Sequence, residues 1–124
     1  MTELWQLPVP PSALLTSPEF VILLRRECEL RMTIEGDDGR PYAIALRFSG
    51  VESYKCTFLT SCTAEMFKNA YGRLISIDST WLNEIRETGR KSRGDIESIH
   101  HLMITFDDGP CYEIICRSWE VKPS

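Results

Sequence analysis

The sequence predicts an α+β domain: one antiparallel β-sheet of about five to six strands, a meander followed by a C-terminal hairpin, with two short helices packed on it. Three observations carry this expectation. Residues 28–59 contain three runs in which apolar side chains recur with a period of two or fill both faces, separated by Gly-Asp-Asp-Gly and Ser-Gly. Residues 63–86 hold two segments with helical spacing. Residues 100–121 read HHLMITFDDGPCYEIICRSWEV, two β-rich runs around Asp107-Asp108-Gly109-Pro110, and Asp-Gly between such runs is a strong hairpin signal.

A chain of 124 residues makes one domain, 1–124. Residues 1–18 carry Pro8, Pro10, Pro11 and Pro18 interleaved with Leu4, Trp5, Leu7, Leu14 and Leu15. The expectation is an irregular arm packed on the body with Trp5 as its anchor, since free tails lack such large apolar residues. Residues 19–27 are ambiguous. Ser17-Pro18-Glu19 is a fair helix opening, yet Phe20, Ile22 and Leu24 continue the alternation of Cys28, Leu30, Met32 and Ile34. A strand is expected from about Cys28 to Glu35, starting as early as Phe20. Tyr42 to Phe48 is a second strand and Val51 to Leu59 a third, with a turn or bulge at Ser49-Gly50. Thr63 caps a helix carrying Met66, Phe67, Ala70 and Tyr71 on one stripe, which Gly72 ends. Leu74 to Ile77 is a brief strand or link. Asp78 or Ser79 caps a second helix with Trp81, Leu82 and Ile85 inward. Gly89 to Ser98 is a polar loop, made locally basic by Arg86, Arg90, Lys91 and Arg93.

In the C-terminal hairpin the simplest register pairs Phe106 with Cys111, Ile104 with Glu113, Leu102 with Ile115, His100 with Arg117 and His101 with Cys116. Glu113 then shares a face with Ile104, Phe106, Ile115 and Arg117. A carboxylate among such neighbours needs a partner, and Arg117 is the nearest. Both faces are largely apolar, so the hairpin is expected to be central and covered twice.

Composition narrows function. The net charge of −4 argues against nucleic acid, which calls for a basic footprint, and is compatible with a basic protein partner. No apolar run approaches the ~18–20 residues of a membrane span. Met1-Thr2-Glu3-Leu4 lacks a basic n-region, so no signal peptide and a cytoplasmic location are expected. Five cysteines in no CxxC spacing read as free thiols.

Four groupings bear on chemistry. His100, His101, Asp107 and Asp108 are metal-ligand types, but adjacent strand residues point to opposite faces and the aspartates lie at the far end; no metal and no cofactor is expected. Cys116 opposite His101 lacks a third group and an oxyanion cradle, so it reads as a structural thiol. Glu113, Arg117 and His100 are the residues a ligand pocket would use. Asp37, Asp38, Asp107 and Asp108 form acidic turns, which serve either as turn chemistry or as an interaction surface for a cationic partner. No P-loop or GxGxxG is present.

The pattern HxxIxFDDGxCxExI, here from His101 through Asp107, Asp108, Cys111, Glu113 and Ile115, followed by Trp119-Glu120-Val121, resembles the C-terminal signature of a family of small uncharacterised bacterial α+β proteins. LRFSGV (Leu46 to Val51) and STWLNEI (Ser79 to Ile85) fit the same family. Similar hairpins occur in immunity-type proteins of bacterial contact-toxin systems. The resemblance implies a bacterial α+β protein and brings no catalytic residue with it.

The expected function is therefore a non-catalytic, macromolecule-binding domain, immunity-like or regulatory, whose partner is another protein or a second copy of itself. The alternative is a small-ligand binder or enzyme built on Glu113, Arg117 and His100. A broad exposed patch would favour the first, and a concave pocket with convergent polar groups the second.

Overall fold

The computed structural model of this chain describes residues 1–90, 96–107 and 110–123. The α+β class stands, but the strands divide between two antiparallel sheets. They are β1 (Thr2–Gln6), β2 (Glu19–Leu23), β3 (Glu27–Glu35), β4 (Pro41–Ser49), β5 (Ser53–Thr57), β6 (Arg73–Ile77), β7 (His100–Thr105), β8 (Cys111–Cys116) and β9 (Ser118–Pro123). Helix α1 spans Ala64–Ala70 and α2 spans Thr80–Gly89. One sheet has the order β1-β6-β7-β8-β5 and the other β2-β3-β4-β9.

The two sheets close on each other. Cys28, Leu30 and Met32 from β3, with Leu46 and Phe48 from β4, meet Leu74, Leu102, Ile104, Tyr112, Ile114 and Cys116 from the five-stranded sheet. Period-two alternation aims these side chains to one side of each strand. Burying each large one contributes ~1.5–3 kcal/mol. The far face of the five-stranded sheet carries Ile75, Met103 and Ile115, covered by Ala70 and Met66 of α1 and by Leu82 of α2. The central position of the β7–β8 hairpin follows: one face meets a sheet, the other meets helices.

Several expectations need correction. The first residues are not wholly irregular. Thr2–Gln6 pairs with β6 as an edge strand, and Leu7 is the buried anchor while Trp5 is only partly covered. Residues 19–35 are two strands, with Leu23 opposite Glu27. The reversal was hidden because Arg25 and Arg26, at φ of 62° and 61°, occupy the left-handed region that glycine or asparagine normally marks. The meander runs only through β2-β3-β4. Gly50, at φ 65°, turns the chain out of that sheet, and β5 joins β8 in the other. A Cβ on Gly50 would lie 2.8 Å from the Cβ of Arg117, where β8 passes back to β9, so the two crossings touch.

The hairpin register also differs by one residue. Met103 faces Glu113, His101 faces Ile115, and His100 faces Cys116. A one-residue slip exchanges faces, so Glu113 leaves the side of Ile104 and Phe106 and joins that of His101 and Met103. Arg117 lies beyond β8, its N–H donating to Ser49 O at 3.0 Å.

Candidate functional site

The most organised polar cluster lies where α2 meets the sheet. Strand β6 ends at Ile77, and Ser79 caps α2, its Oγ accepting from Leu82 N–H at 3.0 Å. Ser79 Oγ also lies 2.7 Å from His101 Nδ1, and His101 Nε2 lies 3.0 Å from Glu113 Oε1. With a neutral imidazole, the Ser79 hydroxyl donates to Nδ1 and Nε2–H donates to the carboxylate, so both ring nitrogens are satisfied. Trp81 meets the imidazole edge-on, with ring centroids 4.9 Å apart. Lys55 Nζ sits 4.0 Å above the Trp81 ring, a cation–π contact from the neighbouring strand.

Hydroxyl, imidazole and carboxylate are the components of a nucleophilic relay, and here the same bonds hold the start of α2 on the sheet. The Ser79 oxygen caps the helix and is hydrogen-bonded to His101 at the same time. His101 and Glu113 are only 3% and 8% exposed, whereas Ser79 is partly exposed. The relay ties the N-terminus of α2 to β7 and β8. Glu113 therefore takes His101, not Arg117, as its partner. The signal in the sequence was the shared parity of His101 and Glu113 under the other register.

The remaining expected residues separate. His100 and Arg117 line a hollow of about 300 Å³ with Leu4, Ser76 and Trp119, on the opposite side of the sheet from Glu113. The three thus do not converge on one pocket. Cys116 belongs to the core between the sheets and does not approach His101 as a pair. Asp38 accepts from Tyr42 Oη at 2.7 Å and from Arg40 N–H at 3.0 Å, and these bonds hold its carboxyl below the usual range. Asp37 is exposed. Asp107 accepts from Tyr71 Oη at 2.6 Å. Asp108 lies outside the described residues, as do Lys91 and Arg93 of the basic loop. Arg90 is paired with Glu87 at 2.7 Å and Glu97 at 2.6 Å, and Arg86 donates to Ile99 O at 3.0 Å.

Chemistry at the three buried thiols is disfavoured. Burial pushes the Cys28, Cys111 and Cys116 thiols up to about 12, so all three remain protonated near neutrality. Among the described residues no three His, Cys, Asp or Glu side chains converge as metal ligands.

What the sequence did not reveal is an apolar side of the molecule. Strands β2 and β5 are edges of the two sheets, and they meet where Phe20 packs on Tyr54 at 5.1 Å. Ile22, Leu24 and Tyr54 are exposed there, and β5 leads on into exposed Phe58 and Leu59. Leu24 is 86% and Phe58 69% exposed. Ile22 points toward the opposite sheet but lies at an edge, so its period-two position could not disclose its exposure.

The chain matches no family model, no curated protein and no solved structure. Among the described residues no helix is long and apolar enough to cross a membrane.

Proposed function

We propose that this chain is a non-catalytic protein-binding domain, immunity-like or regulatory, acting in the bacterial cytoplasm. Its partner docks on the β2–β5 side. The observation that supports this is exposed Ile22 and Tyr54 on two edge strands, with exposed Leu24, Phe58 and Leu59 just beyond the strand ends. Contiguous exposed apolar surface characterises interaction sites. An edge strand adds unpaired backbone N–H and C=O groups, which an extended segment of a partner can complete as a further strand. Five free thiols fit a reducing compartment. Glu113 lies on the other side of the sheet from His100 and Arg117, so the three do not share a pocket, which favours the binding reading over the alternative built on them.

The test compares the wild type with Ile22→Glu/Leu24→Glu. Both positions are exposed, so stability should change by no more than ~0.5 kcal/mol per site. Each protein is used to capture partners from cells of the source organism, with Lys68→Glu on α1 as a control. The expected result is a protein retained by the wild type and the control and lost by the double variant. Identical captures by all three, or none by any, would sink the proposal.

A further inference from the structure

Among the described residues the two sheets end in β1 and β5 of one and β2 and β9 of the other. Exposed edges are normally blunted by a charge, a proline or a bulge, any of which discourages a further strand from adding. Strand β1 carries Glu3 and a register shift between Glu3 and Trp5. Lys55 stands at the centre of β5, and β9 carries Glu120, Lys122 and Pro123. The interior of β2 has none of these. Phe20-Val21-Ile22-Leu23 pairs with β3 without a shift, and the apolar run continues into Leu24. Ile22 and Leu24 are exposed. Charge stands only at the two ends of this stretch, Glu19 before it and Arg25 after it, and both are exposed. Neither forms an ion pair among the described residues. The charges around them are engaged elsewhere. Arg31, opposite Glu19, is bonded to Glu29 at 3.1 Å, Glu27 to Arg47 at 2.9 Å, and Arg26 to Glu52.

The stretch Glu-Phe-Val-Ile-Leu-Leu-Arg over residues 19–25 is complementary to its own reverse: acid, apolar run, base. We infer that β2 is the contact of a symmetric homodimer, in which two copies pair antiparallel about a two-fold axis at Ile22. This rests on the docking of a partner at the β2–β5 side and names that partner as a second copy of this chain. A two-fold axis makes every contact reciprocal. With Ile22 on the axis, Val21 lies opposite Leu23, Phe20 opposite Leu24, and Glu19 beside Arg25, each pair occurring twice. The neighbouring registers mismatch. An axis at Val21 sets Glu19 against Leu23 and Leu24 against Pro18, and an axis at Phe20 sets Glu19 against Val21. Paired strands are stabilised by apolar and opposite-charge neighbours across the ladder, and of these three registers the one at Ile22 supplies both and covers Leu24. The backbone groups that β2 leaves unpaired at the edge are completed by the same groups of the copy, so the two four-stranded sheets run on as one.

The test uses the axis, where Ile22 meets its own copy. Ile22→Glu and Ile22→Lys each bring two like charges together there, whereas a mixture of the two variants brings opposite charges together. Ile22 is exposed, so both variants should fold, and circular dichroism checks that they do. Sedimentation equilibrium of the full chain is followed up to ~500 µM, which reaches the weak association of a short edge contact. The wild type is expected to dimerise, each variant alone to dimerise about tenfold or more weakly, and the equimolar mixture to recover that loss. Glu19→Lys should weaken the dimer about tenfold through two repelling pairs, and Glu19→Lys/Arg25→Glu should restore it. A wild type monomeric throughout would overturn the homodimer. So would variants that dimerise as the wild type does, or a mixture no tighter than its components. A dimer indifferent to the Glu19 substitution would overturn the register on which the contact rests. The docking reading fails separately. A monomeric chain that still captures a different protein through Ile22 and Leu24 would end the homodimer and leave that reading standing.

Discussion

Replacing Ser79 by Ala removes two bonds with one atom. Leu82 N–H loses its cap acceptor, now at 3.0 Å, and His101 Nδ1 loses its hydroxyl, now at 2.7 Å. Loss of an N-cap side chain costs ~1 kcal/mol. A buried ring nitrogen left unpaired costs a further ~1–3 kcal/mol. Ser79 itself is only partly buried, so water can replace part of the second loss, and the sum is about 2–3 kcal/mol. For a domain of this size each kcal/mol moves Tm by ~3–5 °C, so Ser79→Ala should melt roughly 6–15 °C lower. Ser79→Thr keeps both the hydroxyl and the cap and should stay within ~0.5 kcal/mol of wild type. Thermal and urea unfolding followed by circular dichroism measure both variants. A double-mutant cycle with His101→Phe should return a coupling of ~1–2 kcal/mol, because the second substitution removes the stranded nitrogen. A loss below ~0.5 kcal/mol for Ser79→Ala, or equal losses for Ala and Thr, would refute the relay as the tether of α2.

Three further outcomes are expected. Arg25, at φ 62°, carries left-handed strain, and Arg25→Gly should relieve ~1 kcal/mol of it, raising Tm by ~3–5 °C; a lower Tm would show that the arginine side chain matters more than the turn. On the outer face of the four-stranded sheet, Glu29 sits among Arg31 at 3.1 Å, Arg47 at 3.2 Å and Lys122 at 3.1 Å, and Glu27 lies 2.9 Å from Arg47. Burial works to raise Glu29, but bonds from Lys122 and Arg31 hold it below 4.5, and the Arg47 bond does the same for Glu27. Depressed carboxyls stabilise the fold above their unfolded value, and that contribution is lost as pH falls through the folded value. Urea midpoints of the wild type should therefore drop more steeply below pH ~4.5 than those of Glu27→Gln/Glu29→Gln; parallel curves would contradict the assignment. Finally, a thiol reagent at mildly alkaline pH should label exposed Cys56 rapidly and Cys28, Cys111 and Cys116 only after unfolding, as mass spectrometry would resolve.

Local chemistry was legible from the sequence wherever it depends on near neighbours. Thr63 and Ser79 announce their helices because a side-chain oxygen before an apolar stripe satisfies an orphan N–H, and both accept as expected, from Met66 and Leu82. The alternation of Cys28, Leu30 and Met32 placed the same side chains inside. The two apolar faces of His100 to Cys116 foretold a hairpin covered twice. A reversal was legible only where its residues advertise it: Gly36 and Gly39 mark the β3–β4 turn, whereas Arg25-Arg26 conceals the β2–β3 turn.

Tertiary structure decided the rest. Both faces of His100 to Cys116 are largely apolar, so alternation could not say that Met103, and not Ile104, faces Glu113. That single residue turns Glu113 from Arg117 to His101 and separates it from His100. Nor could alternation say which sheet a strand joins: β5 and β9 leave their neighbours in sequence because Gly50 and Arg117 let the chain cross between layers. The sequence by itself determined backbone preference and which side chains avoid water, since both act over a few residues. Register, sheet membership and the meeting of edges β2 and β5 were settled only by long-range packing, where a shift of one residue exchanges every inward side chain for an outward one.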